Sequence, residues 1–246
     1  MKKTVVITSG TSGIGRGIVE QLFQTTGDEV ERLFVNYGHH DQAAQDLLSS
    51  LSPSDAQRVT FIKSDMSDEA GLTHFLEELL SYTDHVDWLI LNTGIGTYLP
   101  FEQYSFELWN KVMTTNVTVP AFLVQKLRPY MRENGKILFM GSHAGNVPYS
   151  SSLVYGTSKA AVHFMARSLM KYFDDKHVCI NAVAPGFIET PWQKDRTDES
   201  RQRINAKIAA HRFGTPQEVA AMAISILKND YVNGTVVEVT GGYDYF

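Results

Sequence analysis

The chain has one cysteine, Cys179, among its 246 residues. No internal disulfide is possible, so the fold cannot be a small core stapled by cross-links. Cys179 lies in the apolar run HVCINAV and reads as core filling. Long apolar runs are missing too. None approaches the roughly 20 residues that a membrane-spanning helix needs. The N-terminal MKKTVVITSG has two lysines, but its apolar stretch is too short for the core of a signal peptide. These absences predict a protein of the reducing cytoplasm. Excess basic charge is also lacking: Lys and Arg number 22 against 27 Asp and Glu, a formal net charge of −5. Neither nucleic acid nor an anionic membrane is therefore expected as the main partner. No His, Cys, Asp or Glu group has zinc-ligand spacing, so no metal is expected. No repeat, low-complexity tract or linker interrupts the chain, and residues 1–246 read as one domain.

What is present is a globular composition, 43% hydrophobic and 20% charged, enough for a sizeable core. Short apolar or β-branched runs alternate with helical patterns. The strand candidates are TVVIT (4–8), RLFVNY (32–37), VTFIK (59–63), DWLIL (87–91), GKILFM (135–140), VCINAV (178–183) and TVVEV (235–239). They are nearly continuous in apolar residues, as strands buried on both faces are. Alternation of buried strands with helices predicts an α/β fold. It is a single doubly wound Rossmann-type domain, with a seven-stranded parallel sheet and helices on both faces. The most polar stretch, QKDRTDESRQR (193–203), reads as a loop over the sheet edge.

Between the first strand and the first helix lies TSGTSGIG, residues 8–15. Glycines there permit a tight turn and close backbone approach to a diphosphate, which the helix N-terminus would attract. Gly10, Gly13 and Gly15 depart from the GxGxxG spacing, so the position in a βαβ unit carries more weight than the motif. The second strand ends in Asn36, Tyr37 and Gly38. No acid stands where one would bind the free ribose hydroxyls of NAD, and this favours NADP, with NAD still possible. His39 and His40 follow, mostly neutral at pH 7. They are as well read as solvated loop residues as phosphate contacts.

Two segments have a tyrosine four residues ahead of a lysine: YGTSK (155–159) and YFDDK (172–176). That spacing places both side chains on one helix face. A phenol has an ordinary pKa of about 10, and an adjacent ammonium group favours the phenolate, giving an acid or base usable near neutrality. YFDDK closes the helix that YGTSK opens, and Asp174 and Asp175 would neutralise Lys176. Tyr172 therefore reads as packing and Lys176 as a cation on helix-end carbonyls. YGTSK opens its helix after the fifth strand, near the strand ends where open α/β sheets bind ligands. Ser142 lies just upstream. His143 beside it does not make a hydrolase, since adjacent residues rarely face each other and the GxSxG elbow is absent.

Taken in order, TSGTSGIG, LNTG, TTNV, MGSHAG, YGTSK and APGFIET resemble the short-chain dehydrogenase/reductase family, and RFGTPQEVA and NGTVVEVTGG resemble its last helix and strand. Within it, overall resemblance makes a 3-oxoacyl-carrier-protein reductase-like activity one option, with an acyl chain on a carrier, a sugar, a steroid and a small ketone all open as substrates. The resemblance implies a general acid/base at Tyr155 and a lysine, Lys159, that lowers its pKa and bonds the nicotinamide ribose. Ser142 would hold the substrate oxygen, and Asn116 would anchor a water relaying protons to Lys159. Ser9, Gly10, Ser12, Gly13, Ile14 and Gly15 would bind the diphosphate. Asn36 and Tyr37 would lie at the adenosine ribose, and Asp65 and Met66 by the adenine. Asn92 and Gly94 would line the cleft, and Pro185, Gly186, Ile188 and Thr190 would meet the nicotinamide. It further implies a carbonyl or secondary alcohol substrate, small-molecule or acyl, and a homo-oligomer, a tetramer or dimer. A tetramer would use the helices at 102–131 and 150–174 and the tail YDYF, which reads equally as a frayed end. A catalytically silent nucleotide sensor on the same fold is the rival, and the intact set Tyr155, Lys159, Ser142 and Asn116 argues against it.

Two departures stand out. Ser9 replaces the family's glycine, with Gly10 expected to supply the turn's freedom one residue later. Leu91 stands where the family has an asparagine, which predicts looser loops because leucine makes no polar bridge. On the substrate side, Phe187, Trp192, Tyr98, Phe101 and Tyr149 are candidates for an apolar wall, and the resemblance implies that FIETPWQKDRTDES forms a lid over the substrate.

Overall fold

The computed structural model describes residues 2–27, 29–148 and 152–243. Seven strands form one sheet: β1 (Lys3–Ile7), β2 (Val30–Tyr37), β3 (Val59–Lys63), β4 (Val86–Leu91), β5 (Met131–Met140), β6 (Cys179–Pro185) and β7 (Val236–Val239). Their order is β3-β2-β1-β4-β5-β6-β7, and every pairing is parallel. All seven expected strands are present. β5 begins earlier than expected, at Met131, and pairs there with Val86.

The helices are α1 (Gly13–Thr26), α2 (Asp41–Ser50), α3 (Pro53–Ala56), α4 (Glu69–Tyr82), α5 (Phe106–Met113), α6 (Val119–Leu127), α7 (Leu153–Ser168), α8 (Asp198–Asn205) and α9 (Pro216–Lys228). The two-residue period of the strands divides the core. Val6, Phe34, Leu89 and Phe139 point to one face, against Phe75 and Leu79 of α4, Leu123 of α6 and Val162 of α7. Val5, Ile7, Leu33, Val35, Trp88 and Ile90 point to the other, against Ile18 and Leu22 of α1 and Val219 and Ile224 of α9. Both faces are covered, which is why the strands carry unbroken apolar runs.

The polar stretch 193–203 is not all loop. The Thr197 side chain accepts the Ser200 N–H at 3.2 Å and caps α8. Asp198 and Glu199 occupy its first turn, where acids complement the helix dipole. No described helix is long and apolar enough to cross a membrane.

The sheet order reverses between β1 and β4, whose neighbours diverge at that point. A crevice opens there beyond the carboxyl ends of the strands, the usual ligand position in such sheets.

Candidate active site

The crevice starts at the turn after β1. Ser9, not Gly10, takes the left-handed backbone, with φ 51°. The expectation that Gly10 supplies the freedom is therefore corrected. Gly10 is needed for room, since a Cβ there would lie 2.7 Å from Val35 and 3.0 Å from Ile7. Ser9 carries the strain that glycine would avoid. Polar bonds hold it: its Oγ lies 2.8 Å from Thr93 Oγ1, and its N–H donates to Asn36 Oδ1 at 3.3 Å.

The same bonds overturn the expected looseness around Leu91. Leu91 is buried in the core. Thr8 Oγ1 accepts the N–H groups of Asn92 and Thr93 at 2.9 and 3.0 Å, and Asn92 Nδ2 donates to the Ser9 carbonyl at 2.9 Å. The loops after β1 and β4 are thus tied without an asparagine at position 91. Asn36 is a strut beneath this turn. It is buried, and its Nδ2 donates to the carbonyls of Ile62 and Ser64.

The glycine loop leads into α1, which no side chain caps at Ser12. Its first-turn N–H groups point toward the crevice mouth, a ready anion site. Gly13 has φ 52°, and a Cβ on it would sit 3.4 Å from Thr190. At the far end Tyr37 donates to Asp41 at 3.0 Å, Lys63 pairs with Asp41 at 2.7 Å, and His39 lies 3.1 Å from Asp65. The Lys63 ammonium holds the Asp41 carboxyl below its usual range. The Met66 side chain is buried among Phe75, Leu79 and Ile62, so only its backbone can face an adenine.

α7 carries the tyrosine and the lysine, one turn apart. Lys159 is buried, donates to the Met140 carbonyl at 2.7 Å and lies 5.7 Å from the Tyr155 ring centroid. Burial pushes its pKa down to about 8. A Cβ on Gly94 would stand 3.1 Å from the Lys159 ammonium, so glycine there lets the backbone of the β4 loop approach the charge.

Asn116 sits on a π-helical turn, Thr114–Thr118, that joins α5 to α6. Such wide turns recur at functional sites. Pro120 has no N–H with which to close the ordinary bond to the Asn116 carbonyl four residues back. Both N–H donors of the Asn116 side chain are in use. Its Oδ1 accepts from Ile95 N–H, and its Nδ2 donates to the Ile95 carbonyl and to Ser158 Oγ, all at 2.8–2.9 Å. Ser158 in turn donates to the Tyr155 carbonyl at 2.7 Å. A water held by Asn116 would have to donate to one of its oxygens, Oδ1 or the backbone carbonyl.

Ser142 follows β5. Its Oγ accepts the Ala144 N–H at 3.2 Å, which leaves the hydroxyl proton to be donated. A cavity of about 380 Å³ joins these parts. Ser9, Ser12, Gly13, Ile14, Asn92 and Gly94 line one end. Ser142, Tyr155, Lys159, Pro185, Gly186, Ile188 and Thr190 line the other. Asn116, Gly10 and Gly15 stand behind the lining, and Asn36, Tyr37, Asp65 and Met66 lie outside it.

Of the expected apolar wall, Tyr98, Phe187 and Trp192 are in place. The Trp192 ring lies 5.7 Å from the Tyr155 ring, and its indole N–H donates to Tyr98 OH at 2.5 Å. Phe101 instead is exposed and packs on Tyr104 at 5.9 Å. Tyr149 lies outside the described residues. So do the last three residues of YDYF. Its first, Tyr243, is a wall of the cavity, with its ring 5.3 Å from Phe187 and 5.8 Å from His143. Sequence reading did not find Tyr243 as a wall residue, nor Val147 and Pro148. It also missed His163, which lies one turn beyond Lys159 and touches the Ser142 backbone. Nothing local marks any of them.

The second tyrosine–lysine pair lies on short 3-10 turns at the far end of the helix. Tyr172 is 66% exposed and does not pack as expected. Asp175 pairs with Arg128 at 2.7 Å, so the acids do not neutralise Lys176. Lys176 instead binds the carbonyls of Arg128, Pro129 and Met131, where α6 gives way to β5, at 2.8–3.0 Å, and not the last carbonyls of its own helix.

A profile of the short chain dehydrogenase family matches residues 3–201. The chain belongs to that family. Its relatives include glucose 1-dehydrogenase 2 of Bacillus subtilis, 32% identical over 98% of this chain and 94% of the relative. The 3-oxoacyl-[acyl-carrier-protein] reductase FabG of Aquifex aeolicus is 29% identical over 98% and 96%. Among solved structures, the Pseudomonas aeruginosa RhlG/NADP active-site complex superposes with TM-score 0.88 at 28% identity, covering 98% of this chain and 96% of that one. BdcA in complex with NADPH gives 0.85 at 25% identity, covering 98% and 94%. This member of the short chain dehydrogenase family is accordingly an oxidoreductase, FabG-like in sequence, on a Rossmann-type sheet.

Proposed function

We propose that this chain is an NADP-dependent oxidoreductase that interconverts a carbonyl and a secondary alcohol and runs as a reductase with NADPH. The observation that carries this reading is one helix face. Tyr155 and the buried Lys159 lie one turn apart on α7 and open onto the cavity that Ser142 and the glycine loop also line.

The residues suit a dinucleotide. The uncapped start of α1 and the left-handed Gly13 offer N–H groups to a diphosphate, and Gly94 and Gly186 leave room for the nicotinamide end, since a Cβ on either would lie 3.1 Å from Lys159 or Thr240. The absence of an acid at Asn36 to Gly38, together with relatives seen bound to NADP and NADPH, supports the phosphorylated form. Once bound, the reduced nicotinamide supplies the hydride that adds to the carbonyl carbon.

The protein handles the proton. The Ser142 hydroxyl donates a hydrogen bond to the carbonyl oxygen and fixes its position. Tyr155 gives its phenolic proton to that oxygen as negative charge develops there. The Lys159 ammonium stabilises the phenolate left behind. A water on an Asn116 oxygen returns a proton toward Lys159. Among the described lining residues, Lys159 is the only Lys, Arg, Asp or Glu, and the walls are Tyr98, Phe187, Trp192 and Tyr243. An uncharged apolar carbonyl compound therefore suits the site.

The test is a fluorescence titration with NADPH and with NADH, then turnover against a panel of uncharged ketones. Tighter NADPH binding and ketone-dependent NADPH consumption are expected. Tighter NADH binding, or consumption of neither nucleotide with any ketone, would overturn the reading. The same reading includes a homo-oligomer in the cytoplasm, and sedimentation velocity checks its size.

A further inference from the structure

We propose that His163 is a positioning residue for this active site: one imidazole nitrogen accepts the Ser142 N–H and holds that residue where its hydroxyl meets the substrate oxygen. This role rests on the reading of Ser142 given above.

Tyr155, Lys159 and His163 follow one another at intervals of four on one face of α7. His163 is buried. Its Nε2 lies 3.3 Å from Ser142 N, and its Nδ1 lies 2.8 Å from Asn146 Oδ1. Asn146 Nδ2 continues the chain by donating to Glu238 Oε1 on β7. The two ends fix every proton in between. A backbone amide can only donate, and an ionised carboxylate can only accept. Nε2 must therefore be the bare acceptor, and Nδ1 must carry the hydrogen. The result is a polar strut that runs from the Ser142 backbone through α7 and Asn146 to β7.

The loop is shaped around the ring. A Cβ on Gly141 would lie 2.3 Å from His163 Nε2, and one on Gly145 would lie 2.9 Å from Cε1. These two glycines flank Ser142, so the segment that carries the substrate-binding hydroxyl closes directly on the imidazole. A second proton on the ring would set N–H against N–H at Ser142 and break the strut. The surroundings oppose that proton. Burial acts first, and Lys159 and Arg167 on the same helix add to it, as does His143 from the loop, while Glu238 on β7 pulls the other way. The net effect holds the pKa down at about 4.

Three substitutions separate the two nitrogens. Phenylalanine keeps a ring and removes both. Glutamine carries its amide out to where Nε2 stands, and asparagine carries its amide to where Nδ1 stands. In His163→Phe, the Ser142 amide should exchange with solvent about 10- to 100-fold faster, and kcat/KM for the ketone should fall by a similar factor, as an unsatisfied buried donor predicts. NADPH affinity should be unchanged. His163→Gln should restore both readouts, and His163→Asn neither. Nitrogen-15 NMR of the wild type should show His163 as the Nδ1–H tautomer from about pH 5 to about pH 8.

Unchanged Ser142 exchange in His163→Phe would overturn the proposal. So would faster exchange with undiminished kcat/KM, or losses of activity and melting temperature that fall in step and are not recovered by glutamine. If the wild type consumes no NADPH with any ketone, the functional reading fails separately. The tautomer and the Ser142 exchange then still decide whether His163 holds the loop.

Discussion

The helical stretch from Leu153 to Lys176 carries the same four-residue tyrosine–lysine spacing at both ends, and the two ends have different chemistry. At the front, Lys159 is buried with its ammonium 5.7 Å from the Tyr155 ring centroid, beside a cavity. At the back, Tyr172 is exposed, and Lys176 turns away to three backbone carbonyls. The spacing alone is therefore silent. What gives it meaning is burial of the cation, because a desolvated ammonium group acts on a neighbouring phenol far more strongly than a hydrated one.

The widest separation between the two ends should appear on removing each hydroxyl. Tyr155→Phe should bind NADPH normally and lose turnover by roughly 10²- to 10⁴-fold, the usual contribution of a general acid. Tyr172→Phe should keep wild-type turnover. Steady-state kinetics on both variants checks this, and an inactive Tyr172→Phe would reverse the assignment.

The pH profile sharpens the contrast. Desolvation lowers Lys159 to about 8, so the cation beside Tyr155 is present below that pH and lost as pH rises through it. kcat/KM for reduction should fall on an alkaline limb near 8, and Tyr172→Phe should leave that limb in place.

The back pair should respond in stability. Lys176→Met leaves three carbonyls without their donor and should cost on the order of 1–3 kcal/mol in urea unfolding, with kcat unchanged. If kcat falls instead, the two ends are coupled.

A smaller effect concerns acid. The folded-state pKa of His163 is about 4 against 6.5, so between these values the unfolded chain binds the extra proton. Stability from this group is present above about 6.5 and declines as pH falls toward 4. His163→Gln should show a flatter acid limb than the wild type in urea unfolding followed against pH.

The smallest effect is at the turn. Ser9→Ala loses the bond to Thr93 and keeps the strained φ, so it should be less stable than Ser9→Gly by about 1 kcal/mol, the cost of a left-handed residue with a Cβ. Thermal unfolding of the two variants measures the difference.

The strands and their alternation with helices were legible because strands buried on both faces leave unbroken apolar runs in the sequence. The glycine turn, Tyr155 and Lys159 were legible because each lies within one local element. Other parts were not. Ser9 took the strained backbone because Gly10 was needed for space against Val35 and Ile7. Leu91 could enter the core because Thr8 had taken over tying the loops. Met66 turned into the apolar core. Tyr243 joined the cavity wall by packing on Phe187, more than fifty residues away.

By itself, the sequence determined the sheet, the crevice at its switch point and the helix face that carries Tyr155 and Lys159. Hydrophobic periodicity and helical spacing are local properties that short-range sterics enforce. Only the tertiary structure decided which of the two tyrosine–lysine pairs has a buried cation and which histidine reaches Ser142. Desolvation and hydrogen-bond partners come from residues distant in the chain, and those meet only when the two faces of the sheet are covered.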